Sequence, residues 1–343
     1  MGIRTATVAL CLLSLSALAA EGDATPSPSP EVTATPVAEA MPTPAPDTAA
    51  SRWVAPSIAP KNRLVVSDLT VFRYNPVGLE TQIRAGYQRR LFASENPLFR
   101  DNFVFLGVLP KLNPAFLRIG PAVDVQPLSI LHLRAGVEHV RFFGTFGFLQ
   151  SFASPRADYS DSTLDDRQDP DDDGESSYAT DGTHAFFEPT FQIKIGHIVV
   201  RNKFSVEYWN LGLRGGDTVF YDATLDTLVP DDGMNITNDA DVLYATDWGL
   251  TAGLRHSFVR PIYEAEHFQP GENRGFIENR HNRLGVLAAY TFFDRGYTRF
   301  NKPTVIVISS WYLSHRWRTG EDVSRAVPYF VLGFAFQSDI LDY

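Results

Sequence analysis

Cysteine is almost absent: Cys11 is the only one in 343 residues. One thiol cannot close an intrachain disulfide, so a stapled scaffold is excluded. A basic excess is lacking too, since 30 Lys and Arg against 40 Asp and Glu leave a formal charge of −10. That balance argues against a duplex nucleic-acid partner. Beyond residue 20 there is no run of 18 apolar residues, which excludes membrane-spanning helices. No Gly-x-Ser-x-Gly, His-Glu-x-x-His or phosphate-loop motif occurs. What is abundant is aromatic residues, 13% of the chain, enough buried surface to exclude disorder throughout.

The negative charge is local. Asp158, Asp161, Asp165, Asp166, Asp169, Asp171, Asp172, Asp173, Glu175 and Asp181 face only Arg167 within residues 158–181, so the rest of the chain is close to neutral. At the amino terminus, Arg4 precedes an apolar run from Val8 to Ala20 that ends in Ala17-Leu18-Ala19. This is the pattern of a cleavable export signal over residues 1–20, too short to anchor in a bilayer. Residues 21–61 follow with nine of the 23 prolines and only one aromatic residue, Trp53, and read as a disordered periplasmic linker. Such a segment is a spacer or a tether to periplasmic or envelope proteins.

From Asn62 onward the dominant period is two. Leu79, Ile83, Ala85 and Tyr87 alternate with Glu80, Gln82, Arg84 and Gln88, and Leu131, Leu133, Ala135 and Val137 alternate with His132, Arg134, Gly136 and Glu138. Each such strand has one apolar and one polar face. The expected strands are 63–74, 78–92, 102–110, 115–126, 129–144, 184–195, 197–211, 217–229, 240–263, 281–293, 303–315 and 327–338. Segment 217–247 also fits an extracellular hairpin, so the count ranges from 10 to 14, with 12 expected because an even number returns the chain to the periplasm. A soluble sandwich and a membrane barrel both alternate. The strands here are long, aromatics such as Phe72, Tyr74, Phe142, Phe143, Trp311 and Tyr312 gather near their ends, and long loops contrast with short turns. These features favour an all-β, antiparallel transmembrane barrel over residues 62–343.

On these residues the chain resembles bacterial outer-membrane β-barrel proteins of the porin-like kind. The alternation Phe330, Leu332, Phe334, Phe336 and the terminal Tyr343 are similar to that family's closing strand, although Gln337-Ser338-Asp339 interrupts it. The resemblance implies an outer-membrane location, contact with membrane lipid, and an acidic loop 152–183 on the extracellular side.

Within the loop, Asp169, Asp171 and Asp173 followed by Gly174 match the first half of a calcium loop, with Ca²⁺ over residues 165–181 as the candidate ion. The twelfth position is Thr180 rather than Glu, and a solvated acidic loop is the plainer reading. The inward faces carry Arg84, Arg90, Arg118, Arg134, Lys194, Arg201, Lys203, Arg255 and Arg283 against Glu80, Asp124, Glu138, Glu188 and Glu207. Such a lumen either pairs its charges and plugs itself or passes small polar solutes with an anion preference. The first expectation is a passive channel, and the alternative is a closed barrel serving as an anchor or scaffold in an envelope complex. An outer-membrane enzyme is the remaining class. Its candidates are His256-Ser257, His267 with Glu264 and Glu266, and His281, by proximity alone.

Overall fold

The computed structural model describes residues 52–53, 58–168 and 177–341. Twelve antiparallel wall positions close into a barrel. They are β1 (Asn62–Tyr74), β2 (Gly78–Arg89), β3 with β4 (Phe103–Val108, Lys111–Asn113), β5 with β6 (Phe116–Ile119, Pro121–Leu128), β7 (Leu131–Phe143), β9 (Ala179–Ile195), β10 (Ile198–Leu211), β13 (Gly233–Ala245), β14 (Leu250–Ile262), β15 (His281–Thr291), β16 (Asn301–Ser314) and β17 (Tyr329–Asp339). Ten consecutive pairs from Val65↔Asp339 to Tyr74↔Phe330 join β1 to β17, so no sheet edge is left open. Two wall strands are broken: one at Leu109-Pro110, where proline has no N–H for the ladder, and one at Gly120, where a Cβ would sit 1.9 Å from the Val137 carbonyl.

The faces are inverted relative to a soluble sandwich. Leu106, Ile195, Val137, Val242, Leu254, Val286 and Leu332 are exposed, whereas Glu80, Asp124, Glu138, Arg201 and Asp241 are buried. Phe72, Tyr74, Phe143 and Trp311 lie on the outward face near one end of their strands and Tyr87 and Tyr244 near the other, the positions of the two interfacial girdles. One end holds the start of β1, the end of β17 and the short turns 129–130 and 196–197; the other carries loop residues 144–168, 212–232, 263–280 and 315–328. Short turns mark the periplasmic side and long loops the extracellular one.

The twelve positions are not the twelve read from periodicity. Segment 217–229 is not wall: β11 (Val219–Asp222) and β12 (Thr227–Pro230) pair with β8 (Ser151–Phe152) in a separate three-stranded sheet. Segment 240–263 is not one strand but the end of β13 and all of β14, turned at Asp247-Trp248-Gly249, where Gly249 adopts a φ of +100°. The two errors cancel in the count. The acidic loop also starts earlier and ends earlier than expected, because β9 begins at Ala179 and takes Asp181 into the wall. The last linker residues are not free. The Asp294 N–H donates to the Arg52 carbonyl (2.8 Å), the Trp53 ring lies against Gly249, and Arg90 donates to the Ala59 carbonyl.

Candidate functional site: an ion-paired interior under a cap

Register brings opposite charges side by side across the inner wall. Asp124 of β6 stands opposite Arg134 of β7, and Asp241 of β13 lies between Arg201 of β10 and Arg255 of β14. Arg134 donates to Asp124 through Nε and Nη2 at 2.8 and 3.0 Å, and Arg84 donates to the same carboxylate at 2.8 Å while its guanidinium lies 3.5 Å above the Phe105 ring. Arg255 grips Asp241 at 2.7 and 2.9 Å, and Arg201 grips it from the other side at 2.8 Å. Lys111 and His184 share Glu138 at 2.6 and 2.9 Å; the second ring nitrogen of His184 lies 3.5 Å from Glu207. Lys203 meets Glu188 at 3.3 Å, and Arg118 lies 3.8 Å from Glu80. Near the periplasmic end Arg63 holds Asp339 through two bonds of 2.6 and 2.7 Å. This pair accounts for an acid on the inner face at the end of the last strand, whereas the outward alternation Phe330, Leu332, Phe334 and Phe336 ends at Ser338.

The residues expected in the lumen fall into three groups. Arg84, Arg118, Arg134, Arg201, Lys203, Glu207 and Arg255 are inward, buried and engaged with opposite charge or amides. Arg283 is inward and buried but lies on aromatic faces, 3.7 Å from the Tyr329 ring centre and 5.4 Å from that of Tyr312. Lys194 and Arg90 are half-buried at the periplasmic ends of β9 and β2. Counted over the buried side chains of the described residues, the basic lean of the expected list disappears, with eleven Arg and Lys against eleven Asp and Glu. Asp239 and Asp241 were hidden in the ambiguous segment 217–247.

The opposite inner wall is apolar. Leu69 and Val71 of β1, Leu287 and Ala289 of β15, Ile306 and Ile308 of β16, and Val331 and Ala335 of β17 form one buried cluster with Val199 and Leu243. The interior therefore has an ionic half and an aliphatic half in contact.

Above it the extracellular loops fold inward as a cap. Leu149, Phe220, Leu225 and Val229 from the loops pack on Phe116, Val140, Phe142, Trp209, Leu211 and Val259 of the barrel mouth. A second cluster, Phe152, Tyr159, Leu164, Val219 and Leu228, holds the cap to itself and includes Leu164 of a six-residue helix, Asp161–Asp166. Asp226, on the tight turn between β11 and β12, latches cap to wall. It accepts from Tyr312 Oη (2.5 Å), Tyr221 Oη (2.8 Å) and Arg318 (2.5 and 3.0 Å), while His315 bonds its carbonyl at 2.9 Å. Burial opposes ionisation of Asp226, but Arg318 and His315 outweigh it and hold the carboxyl well below the usual carboxylate range. Burial likewise pushes Tyr221 up. Arg318 also reaches Asp161 (2.7 and 2.9 Å) and Asn75 (2.7 Å), so one guanidinium ties together segments from four places in the chain. Sequence patterns missed this latch, because Asp226 and Arg318 lie in loops without periodicity.

The histidine candidates are engaged structurally. Ser257 faces inward and bonds Asp239 at 2.6 Å, whereas His256 faces outward, as alternation requires. The two ring nitrogens of His267 lie 2.8 Å from the Glu264 backbone N–H and 2.8 Å from the Asp231 carbonyl, and His281 bonds the Leu225 carbonyl at 2.6 Å. Asp169, Asp171 and Asp173, like the signal over residues 1–20, lie outside the described residues.

A closed barrel with an apolar outer belt, aromatic girdles and a polar inner face is a transmembrane β-barrel of the outer-membrane type. No protein-family model matches the sequence, and no curated protein matches it. Among solved structures it is similar to the KdgM porin (7% identity, TM-score 0.34, 81% of this chain and 100% of that one). It is also similar to an outer-membrane channel from Pseudomonas putida F1 (10% identity, TM-score 0.40, 82% and 96%) and to LpxR from Salmonella typhimurium (10% identity, TM-score 0.36, 80% and 99%). At these identities no interior residue carries over from one chain to another.

Proposed function

We propose that the chain is exported by its amino-terminal signal and forms an outer-membrane barrel that is shut at rest. In this reading it is a non-enzymatic platform that holds a structured cap at the cell surface, with the linker as a site for envelope partners. The observation that supports it is the inaccessibility of the inner face. Asp124, Glu138, His184, Thr190, Ser205 and Asn235 each expose 0% of their surface. A water-filled pore leaves its lining wet, and these side chains are dry.

A second reading, gated passage of small polar solutes, is favoured by one specific feature. The ionic half of the interior extends from Arg63 at the periplasmic end to Arg118, which lies on the Phe116 and Trp209 rings beneath the cap, so a displaced cap would uncover a charged track. Its ion selectivity would be weak, because carboxylates accompany the basic groups.

Planar-bilayer conductance of the refolded chain under a salt gradient tests both readings, with Arg318→Met as the companion that weakens the cap latch. The platform reading expects silence from both proteins. Conductance that appears only in Arg318→Met favours the gate. Steady conductance from the unaltered chain contradicts the shut barrel.

A further inference from the structure

Among the described residues, two ionisable side chains stand at mid-strand on the outward face of the wall: Asp68 on β1 and His256 on β14. A carboxylate facing hydrocarbon is costly and needs a partner. Asp68 is flanked by Phe336 of β17 and Ile83 of β2. Thr70 Oγ1 lies 3.4 Å from its carboxylate and is itself 3.0 Å from Thr81 Oγ1. Among the described residues no ion pair to Asp68 forms on this face, where its neighbours in register are apolar. His256 is flanked in register by Ala240 and Leu284, and Ala240 by Asn202. Asn202, Ala240 and His256 thus form one row, with the small alanine leaving a notch between two polar side chains. Asn202 and Asn238 exchange hydrogen bonds of 3.2 and 3.0 Å, which fixes one side of that notch.

We propose that these two patches bind each other between copies of this chain, with Asp68 of one copy docking against His256 of a second copy within the membrane. The patches are complementary in chemistry, carboxylate and hydroxyls against imidazole and amides. Each is the seventh of the thirteen residues of its strand, within the hydrocarbon span rather than at either aromatic girdle. A soluble partner cannot reach that depth, and lipid tails offer no hydrogen bond. The patches lie four strands apart on the twelve-stranded wall, so the contact is head-to-tail rather than two-fold. The inference concerns the outer wall and does not depend on whether the interior is shut.

Cysteine cross-linking in native membranes tests it, using the full chain in a Cys11→Ser background. With Val66→Cys and Leu254→Cys in the same chain, which leave Asp68 and His256 in place and stand two residues from them on the same outward faces, oxidation is expected to give a ladder of disulfide-linked dimers and larger species on non-reducing gels. Each single variant is expected to stay monomeric. Absence of the ladder overturns the contact, and dimers from Val66→Cys alone overturn the head-to-tail arrangement. On native gels in mild detergent, Asp68→Leu is expected to lose the assembly, and the exchange Asp68→His with His256→Asp to restore it. An Asp68→Leu protein that folds and migrates as the unaltered chain does would show that Asp68 meets only lipid, and the proposal fails.

Discussion

Asp226→Ala is expected to release the extracellular cap while leaving the barrel assembled. The carboxylate is 1% exposed and accepts bonds from Tyr312, Tyr221 and Arg318, so its removal strips a buried guanidinium of its main counter-charge. Asp161, half-exposed on the cap helix, and Asn75 remain to Arg318 but cannot hold the turn between β11 and β12 in place. Breaking a buried pair by deleting one member costs about 3–5 kcal/mol, enough to loosen a cap whose remaining hold is the apolar packing of Leu149, Phe220, Leu225 and Val229 on the barrel mouth. Limited proteolysis of intact cells reads the result: cleavage within 144–168 and 315–328 should rise sharply while the heat-modifiable barrel band persists. Unchanged protection would contradict the latch. A carboxylate held below its normal range contributes its stability above the unfolded value near 3.9, and loses it only as pH falls through the lowered folded value. The difference between Asp226→Ala and the unaltered chain should therefore be constant from about pH 5 to pH 8.

The second large effect is expected from Asp124→Ala in the barrel interior. Asp124 is fully buried and neutralises both Arg84 and Arg134. Its loss leaves two guanidinium groups facing each other in a dry interior, at a cost of about 3–5 kcal/mol. Replacing the whole group, Arg84→Met with Asp124→Leu and Arg134→Met, removes charge and partner together and is expected to recover most of the loss. Urea titration of the folded gel band distinguishes the two. If the single and triple variants unfold at the same urea concentration, the ion pairs do not govern interior stability.

Much of the wall was legible because lipid and lumen impose a strict period of two. Leu131 to Val137 and Ile198 to Tyr208 declare their faces without any knowledge of neighbours. The merged reading of 240–263 failed because the turn at Asp247-Trp248-Gly249 interrupts two strands that are both amphipathic. The reading of 217–229 as wall failed because β11 and β12 are buried on both faces in the cap, so every residue there is selected for packing rather than for lipid. The inward basic residues were visible as residues, but their state was not. Pairing depends on register, and register places Asp241 between Arg201 and Arg255 only after the intervening turn is resolved. The cap latch had no local signature at all, since Asn75, Asp161, Asp226 and Arg318 come together only through tertiary contact.

The sealed interior is tested most directly by thiol accessibility at Ser205 and Thr237, opposed residues of β10 and β13 that expose 0% and 1% of their surface. Each is replaced singly by cysteine in a Cys11→Ser background and treated in intact membranes with a small, membrane-impermeant thiol reagent. A shut barrel leaves both cysteines unlabelled until the protein is denatured. Rapid labelling of either cysteine in the folded protein would mean that water and solutes already reach the middle of the lumen, and the shut barrel would be contradicted.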